Sequence, residues 1–178
     1  MIGAIIGDIV GSRFEFNNHR SKEFELFTDE CEVTDDSIMT IAVAKAIMKT
    51  EKRIKPLLNE RGNNDDYYSL LETMTIKYMQ EIGRYNSFGN GAAMRISPVG
   101  FIAHTDYEAR ELSKIVTSTT HNHTEGIKGA EVIAIAIFMA KRGFSKEEIF
   151  HKINKNYYDL DFTIDEIRDT YKFNETCQ

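Results

Sequence analysis

Tryptophan is missing from this 178-residue chain, and cysteine and proline occur only twice each. Cys31 and Cys177 are too few and too far apart in sequence to suggest a disulfide framework, and two unpaired thiols fit a reducing, cytoplasmic compartment. No apolar run reaches the about 20 residues that cross a bilayer; the longest, residues 132–140, covers about half of that. The apolar N-terminus lacks a basic leader and meets Asp8 after six residues, so it does not read as a secretory signal. Positive charge is also scarce: 22 Lys and Arg stand against 28 Asp and Glu, a net charge of -6. That balance argues against the basic stripe of a general nucleic-acid binder. The expectation is a cytoplasmic protein with no membrane and no general nucleic-acid partner.

Few prolines leave room for long helices. Residues 36–50 carry Ile38, Ile41, Ala42, Lys45 and Ala46 at helical spacing, with Lys45 tolerated by snorkelling. Asn63-Asn64-Asp65-Asp66 reads as a loop or cap before a helix to about Glu81 that carries Leu70, Leu71, Met74, Tyr78 and Met79. Three capping boxes follow: Thr105 with Glu108, Ser145 with Glu148, and Thr163 with Glu166. A helix from about Thr124 closes at Lys141-Arg142-Gly143, basic residues in its last turn and glycine just beyond. No segment alternates polar and apolar for more than a few residues, so the pattern predicts an all-α fold.

Small residues recur every four positions at Gly3, Gly7 and Gly11, and again at Gly126, Ala130 and Ala134. In a helix each set shares one face, which suggests a close helix approach or a binding surface. The Gly-x-Gly-x-x-Gly pattern and strand–helix alternation of a dinucleotide fold are absent.

Thr34-Asp35-Asp36-Ser37 is the densest polar cluster. Read locally it is a helix start, a Thr N-cap followed by acids that complement the free N–H groups. Read chemically, its hydroxyl and two carboxylates, with Glu15 upstream, offer the hard oxygen donors that Mg²⁺ and Mn²⁺ prefer. Gly89-Asn90-Gly91 is a second candidate: Asn between glycines permits φ > 0 and exposes N–H groups suited to phosphate, or forms a plain turn. Arg95 just beyond could meet a phosphate or a core acid. His121-Asn122-His123 has the wrong spacing for helical zinc ligands and no third ligand nearby, which leaves His121, at a helix junction, as a substrate-contact candidate. His19, His104 and His151 read as surface residues.

In this order, Gly3-Ala4-Ile5-Ile6-Gly7-Asp8 with Gly11 and Glu15, Thr34-Asp35-Asp36-Ser37, residues 87–98 from Ser87-Phe88-Gly89-Asn90-Gly91 through Arg95 to Pro98, and Thr120-His121-Asn122-His123 with Gly126 resemble the ADP-ribosylglycohydrolase family. The matching stretches run over most of residues 1–145. The resemblance implies an all-α, orthogonal multi-helix bundle with two Mg²⁺ or Mn²⁺ ions at the bottom of an ADP-ribose cleft. It implies Thr34, Asp35, Asp36 and Glu15 as metal ligands, with Glu15, Asp35 and Asp36 carrying the catalysis. Ser87, Phe88, Gly89, Asn90 and Gly91 would hold the pyrophosphate and distal sugar, and His121 would line the substrate. The implied reaction is hydrolysis of the ribosyl C1″ bond of ADP-ribosylated protein side chains or small ADP-ribose conjugates, through an oxocarbenium-like state. Family members carry a later Asp-x-Asp-Thr/Ser motif; the nearest string here, Asp159-Leu160-Asp161-Phe162, ends in Phe. The expectation is therefore a single domain over residues 1–178 lacking its C-terminal helices, with half a metal site and weak or no activity alone. Uncovered apolar faces would then favour self-association. A catalytically silent ADP-ribose-binding or scaffold protein is the alternative.

Overall fold

A computed structural model of the chain describes residues 1–58, 64–79 and 89–171, with backbone alone for 55–58 and 64. Its elements are α1 (Ile2–Gly11), a 3₁₀ turn (Ser12–Phe14), α2 (Asp35–Leu58), α3 (Asn64–Tyr78), α4 (Gly91–Met94), α5 (Ser97–Ile102), α6 (Asp106–Ser118), α7 (Thr124–Lys141), α8 (Lys146–Asn156) and α9 (Ile164–Ile167). There is no strand among the described residues, and the fold is all-α as the pattern predicts. No helix among them is long and apolar enough to cross a membrane.

Two helix pairs, α2 with α3 and α6 with α7, make the most extensive contacts, and α4 and α5 are wedged against α7. The main core joins Met39, Val43 and Ile47 of α2 to Leu71, Ile96, Val99, Leu112, Val116, Ala130 and Ala134. A smaller cluster of Ala103, Ala109, Ile135, Phe138 and Met139 lies under Ile149 of α8. The small-residue stripe of α7 lets a neighbour in at Gly100 of α5, where an added Cβ would lie 2.5 Å from the Ala134 carbonyl oxygen. Arg110 of α6 pairs with Asp106 and with Glu131 of α7, and Glu131 also accepts from the Tyr157 hydroxyl at the end of α8. This polar network ties three helices together at the surface.

The expected caps form, with one variation. Ser145 and Thr163 make reciprocal boxes with Glu148 and Glu166. Thr105 accepts from the Glu108 N–H, but the Glu108 carboxylate reaches one residue further, to the His104 N–H at 2.8 Å. At the end of α7, Gly143 has φ of 85° and donates to Ala140, while Phe144 donates to Met139, the Schellman arrangement.

The inward face of α2 differs from the expectation. Ile38 and Ile41 are 58% and 50% exposed, and the buried stripe is Met39, Val43, Ala46, Ile47 and Ile54, with Thr40 and Thr50. α2 is apolar on two sides, so periodicity alone admits either stripe as the core face. The glycines of α1 depart too. A Cβ at Gly3, Gly7 or Gly11 would meet nothing within 4 Å, so no second backbone approaches there. That face is open, and Gly7 and Gly11 line a cavity.

Candidate active site

The cavity has a volume of about 800 Å³, within the range of small-molecule sites. One wall is the glycine face of α1 with Asp8, followed by Ser12 and Glu15. A second is the start of α2, Thr34, Asp35 and Asp36. The third is formed by Gly89, Asn90 and Gly91, with Met94, Arg95 and His121 behind. Of the residues singled out in the sequence, Glu15, Thr34, Asp35, Asp36, Gly89, Asn90, Gly91 and His121 thus border one space. Ser87 and Phe88 lie outside the described residues. Asp161 binds the Asn154 amide beyond the end of α8, and neither it nor Asp159 lines the cavity.

Asp8 holds the start of α2 in place. Its carboxylate accepts from the Thr34 N–H at 3.0 Å, the Ser37 N–H at 3.2 Å and the Thr34 hydroxyl. Thr34 in turn accepts from the Asp36 N–H at 3.3 Å, so the local cap reading of the cluster also describes its geometry. Ser12 accepts from the Glu32 N–H, and Arg13 donates to Thr28 and to the Glu25 carbonyl, which fastens the segment leading into Thr34 against α1. Asp8 was not a sequence candidate. The available signal was a lone carboxylate between two glycines on an otherwise apolar helix.

Four carboxylates, Asp8, Glu15, Asp35 and Asp36, share the cavity with one guanidinium among the described residues. Burial, then the charges of Asp8, Asp35 and Glu15, raise the Asp36 carboxyl above the ordinary aspartate range. Burial also raises Asp8, but hydrogen bonds from Ser37 and Thr34 outweigh it and hold this carboxyl below that range. Such like-charge crowding suits a hard cation in kind. It does not yet suit one in number: among the described residues no three carboxylates, histidines or cysteines converge on one ion position.

The third wall is built on a buried cation. Arg95 is 1% exposed and donates to the Thr120 hydroxyl, whose oxygen lies 2.8 Å from His121 Nδ1. The same guanidinium is 3.5 Å from Nδ1. With donors on that side, the network assigns Nδ1 as acceptor and the proton to Nε2, which faces Gly91. Burial and the Arg95 charge lower the His121 pKa to about 4, so the ring is neutral at pH 7. An added Cβ at Gly91 would lie 3.1 Å from Nε2, and this close approach is what glycine serves here. The expected positive φ does not occur: Asn90 has φ of -73°, and neither it nor Gly91 is left-handed. His123 turns the other way and caps α7, accepting from the Glu125 N–H at 3.2 Å.

An all-α bundle around a cleft of carboxylates, glycines and a neutral histidine defines the class, and comparison with known proteins defines the family. The family model for ADP-ribosylglycohydrolase matches residues 1–176, and the chain belongs to this family. It is 24% identical over 180 aligned residues to the ADP-ribosylhydrolase ARH3 of Xenopus tropicalis, a match that covers 84% of this chain and 51% of that protein. Against ARH3 of Mus musculus the identity is 21%, with 84% of this chain and 50% of that protein covered. An uncharacterized protein of Archaeoglobus fulgidus is 36% identical over 64 residues, covering 35% of this chain and 21% of that one. The chain thus spans about half the length of the ARH3 relatives it matches.

Proposed function

We propose that this chain carries metal- and substrate-facing residues of an ADP-ribosyl hydrolase that cleaves the ribosyl C1″ bond of ADP-ribosylated side chains or small ADP-ribose conjugates in the cytoplasm. The observation that carries the reading is the shared cavity: the Thr34–Asp36 turn, Glu15, the Gly89–Gly91 loop and His121 border one space large enough for an ADP-ribose unit. In this reading Thr34, Asp35, Asp36 and Glu15 would hold Mg²⁺ or Mn²⁺, which supply Lewis acidity and make water acidic enough to act near neutral pH. These residues alone would not fill the coordination such ions require, and further oxygen donors would be needed. Asp8 keeps the Thr34 turn in register. The Gly89–Gly91 backbone faces the pyrophosphate, and the His121 Nε2–H offers a neutral hydrogen bond. Glu15, exposed and lining the cleft, would take a proton from an attacking water.

Calorimetric titration of Mn²⁺ in the presence of ADP-ribose tests the assignment. The native chain should bind both weakly, and Asp35→Asn or Asp36→Asn should each lower Mn²⁺ affinity by about tenfold or more, as loss of a charged ligand does. Mn²⁺ affinity unchanged by both substitutions would remove the metal half of the proposal. ADP-ribose binding that is tight and indifferent to Mn²⁺ would favour a silent ADP-ribose-binding protein instead.

A further inference from the structure

Far from the cleft, a second cavity of about 400 Å³ opens between α2, α3 and the start of α6. Glu51, one of its lining residues, stands 15 positions beyond Asp36 on α2, roughly 22 Å along the helix. The lining is mostly aromatic and acidic: Tyr67, Tyr68 and Tyr107, with Glu51 and Glu108, together with Ile102, His104 and Thr105, the Glu108 carboxylate accepting from the His104 N–H. No Lys or Arg lines it among the described residues. The Tyr67 and Tyr68 rings meet edge to face, centroids 6.0 Å apart, and both side chains pack against the main core, so two walls are fixed. Burial and the surrounding carboxylates raise the hydroxyl pKa values of both, Glu51 and Glu108 acting on Tyr67, and Glu108, Glu111 and Asp65 on Tyr68. These tyrosines therefore stay neutral at pH 7.

Three other tyrosines of this chain carry one of its own cations over the ring. Lys45 lies over Tyr78, Arg110 over Tyr157 and Lys128 over Tyr158, at 5.4, 5.3 and 4.1 Å from the ring centroids. No such partner is found for Tyr67, Tyr68 or Tyr107 among the described residues. Nor do their hydroxyls, or the Glu51 carboxylate, have a hydrogen-bond or ion-pair partner there. Aromatic rings beside carboxylates attract a diffuse positive charge. A bare divalent ion is a poorer match, since no three ligands converge on a point. An anion is repelled.

We propose that this cavity binds a small organic cation, an alkylammonium or alkylguanidinium group of up to about a dozen heavy atoms given about 30 Å³ for each. The charged head sits against the tyrosine rings near Glu51 and Glu108, and the alkyl part lies on Ile102. The proposal is independent of the hydrolase reading, because no residue is shared between the two cavities.

The test is a proton NMR titration of tetramethylammonium, and separately of butylguanidinium, against the intact chain in 150 mM salt. Saturable binding should shift the probe's methyl or methylene protons upfield through the tyrosine ring currents. Glu51→Gln and Tyr107→Leu should each weaken binding about fivefold or more; Tyr107 is 67% exposed, so its replacement leaves the core intact. The uncharged shape analogue tert-butanol should not bind. Absence of saturation below 10 mM for both cations, equal binding of tert-butanol, or affinities indifferent to both substitutions would each overturn the proposal. Far-UV circular dichroism of the two variants confirms that their fold is intact.

Discussion

Asp8 and Asp36 sit in one carboxylate crowd, yet their pKa values move in opposite directions, because bonds from both Thr34 and Ser37 outweigh burial at Asp8, whereas at Asp36 burial and neighbouring charges outweigh the bond from Thr34. That makes Asp8 the keystone of the Thr34 turn. Asp8→Ala should destabilise the fold by about 1–2 kcal/mol, as loss of a helix cap with charge-assisted bonds does, and urea denaturation reads this directly. It should also weaken Mn²⁺ binding although Asp8 is no proposed ligand; full stability with unchanged Mn²⁺ affinity would contradict the role. His121 gives a pH signature. Its pKa falls from 6.5 to about 4 on folding, so the unfolded chain binds the extra proton between those values. Stability from this residue is complete above pH 6.5 and lost as pH drops toward 4. A loss of about 2 kcal/mol is expected, less than the full shift implies because the ring borders a wet cleft. Urea midpoints at pH 7 and pH 5 should differ for the native chain and differ less for His121→Gln. The sequence singled out His121, next to Thr120, but said nothing of Arg95 behind both, since that contact spans more than twenty residues and depends on how α4 meets α7.

At the scale of elements, what the chain states locally it states well. The caps of α8 and α9, the glycine end of α7 and the start of α2 all follow from residues within a few positions of one another. What depends on distant partners was harder to read. α2 presents apolar side chains at Ile38, Ile41 and Met48 on one side and at Met39, Val43 and Ile47 on another, and its packing against other helices, α3 above all, decides which side is core. The two four-residue glycine and alanine stripes look alike in sequence and behave oppositely. That of α7 is pressed against α5, while that of α1 faces open space. Gly100→Ala puts this to the test: its Cβ would press on the Ala134 carbonyl and on the Ile137 side chain at 2.8 Å. A loss of about 1–3 kcal/mol is expected, typical of an overpacked contact, measurable as a lowered thermal midpoint. Unchanged stability would mean that α5 and α7 can slide apart at no cost.

At the scale of the whole molecule, α1 and α2 expose Ile2, Ile6, Ile38, Ile41 and Met48. Apolar side chains gathered on two packed helices are a surface that associates. Sedimentation velocity should find concentration-dependent oligomers, and Ile38→Glu with Ile41→Glu should return the chain to a monomer; a native chain that stays monomeric at 100 μM would refute this. The open glycines of α1 carry one more consequence, in which folding and recognition pull against each other. Gly7 can take a methyl group without meeting any neighbour, and alanine is better in a helix than glycine by about 1 kcal/mol. Gly7→Ala should therefore raise the melting temperature while narrowing the cleft and weakening its ligand. An alanine there would make a sturdier protein and a poorer receptor, so the glycine records a compromise that stability alone would never have selected.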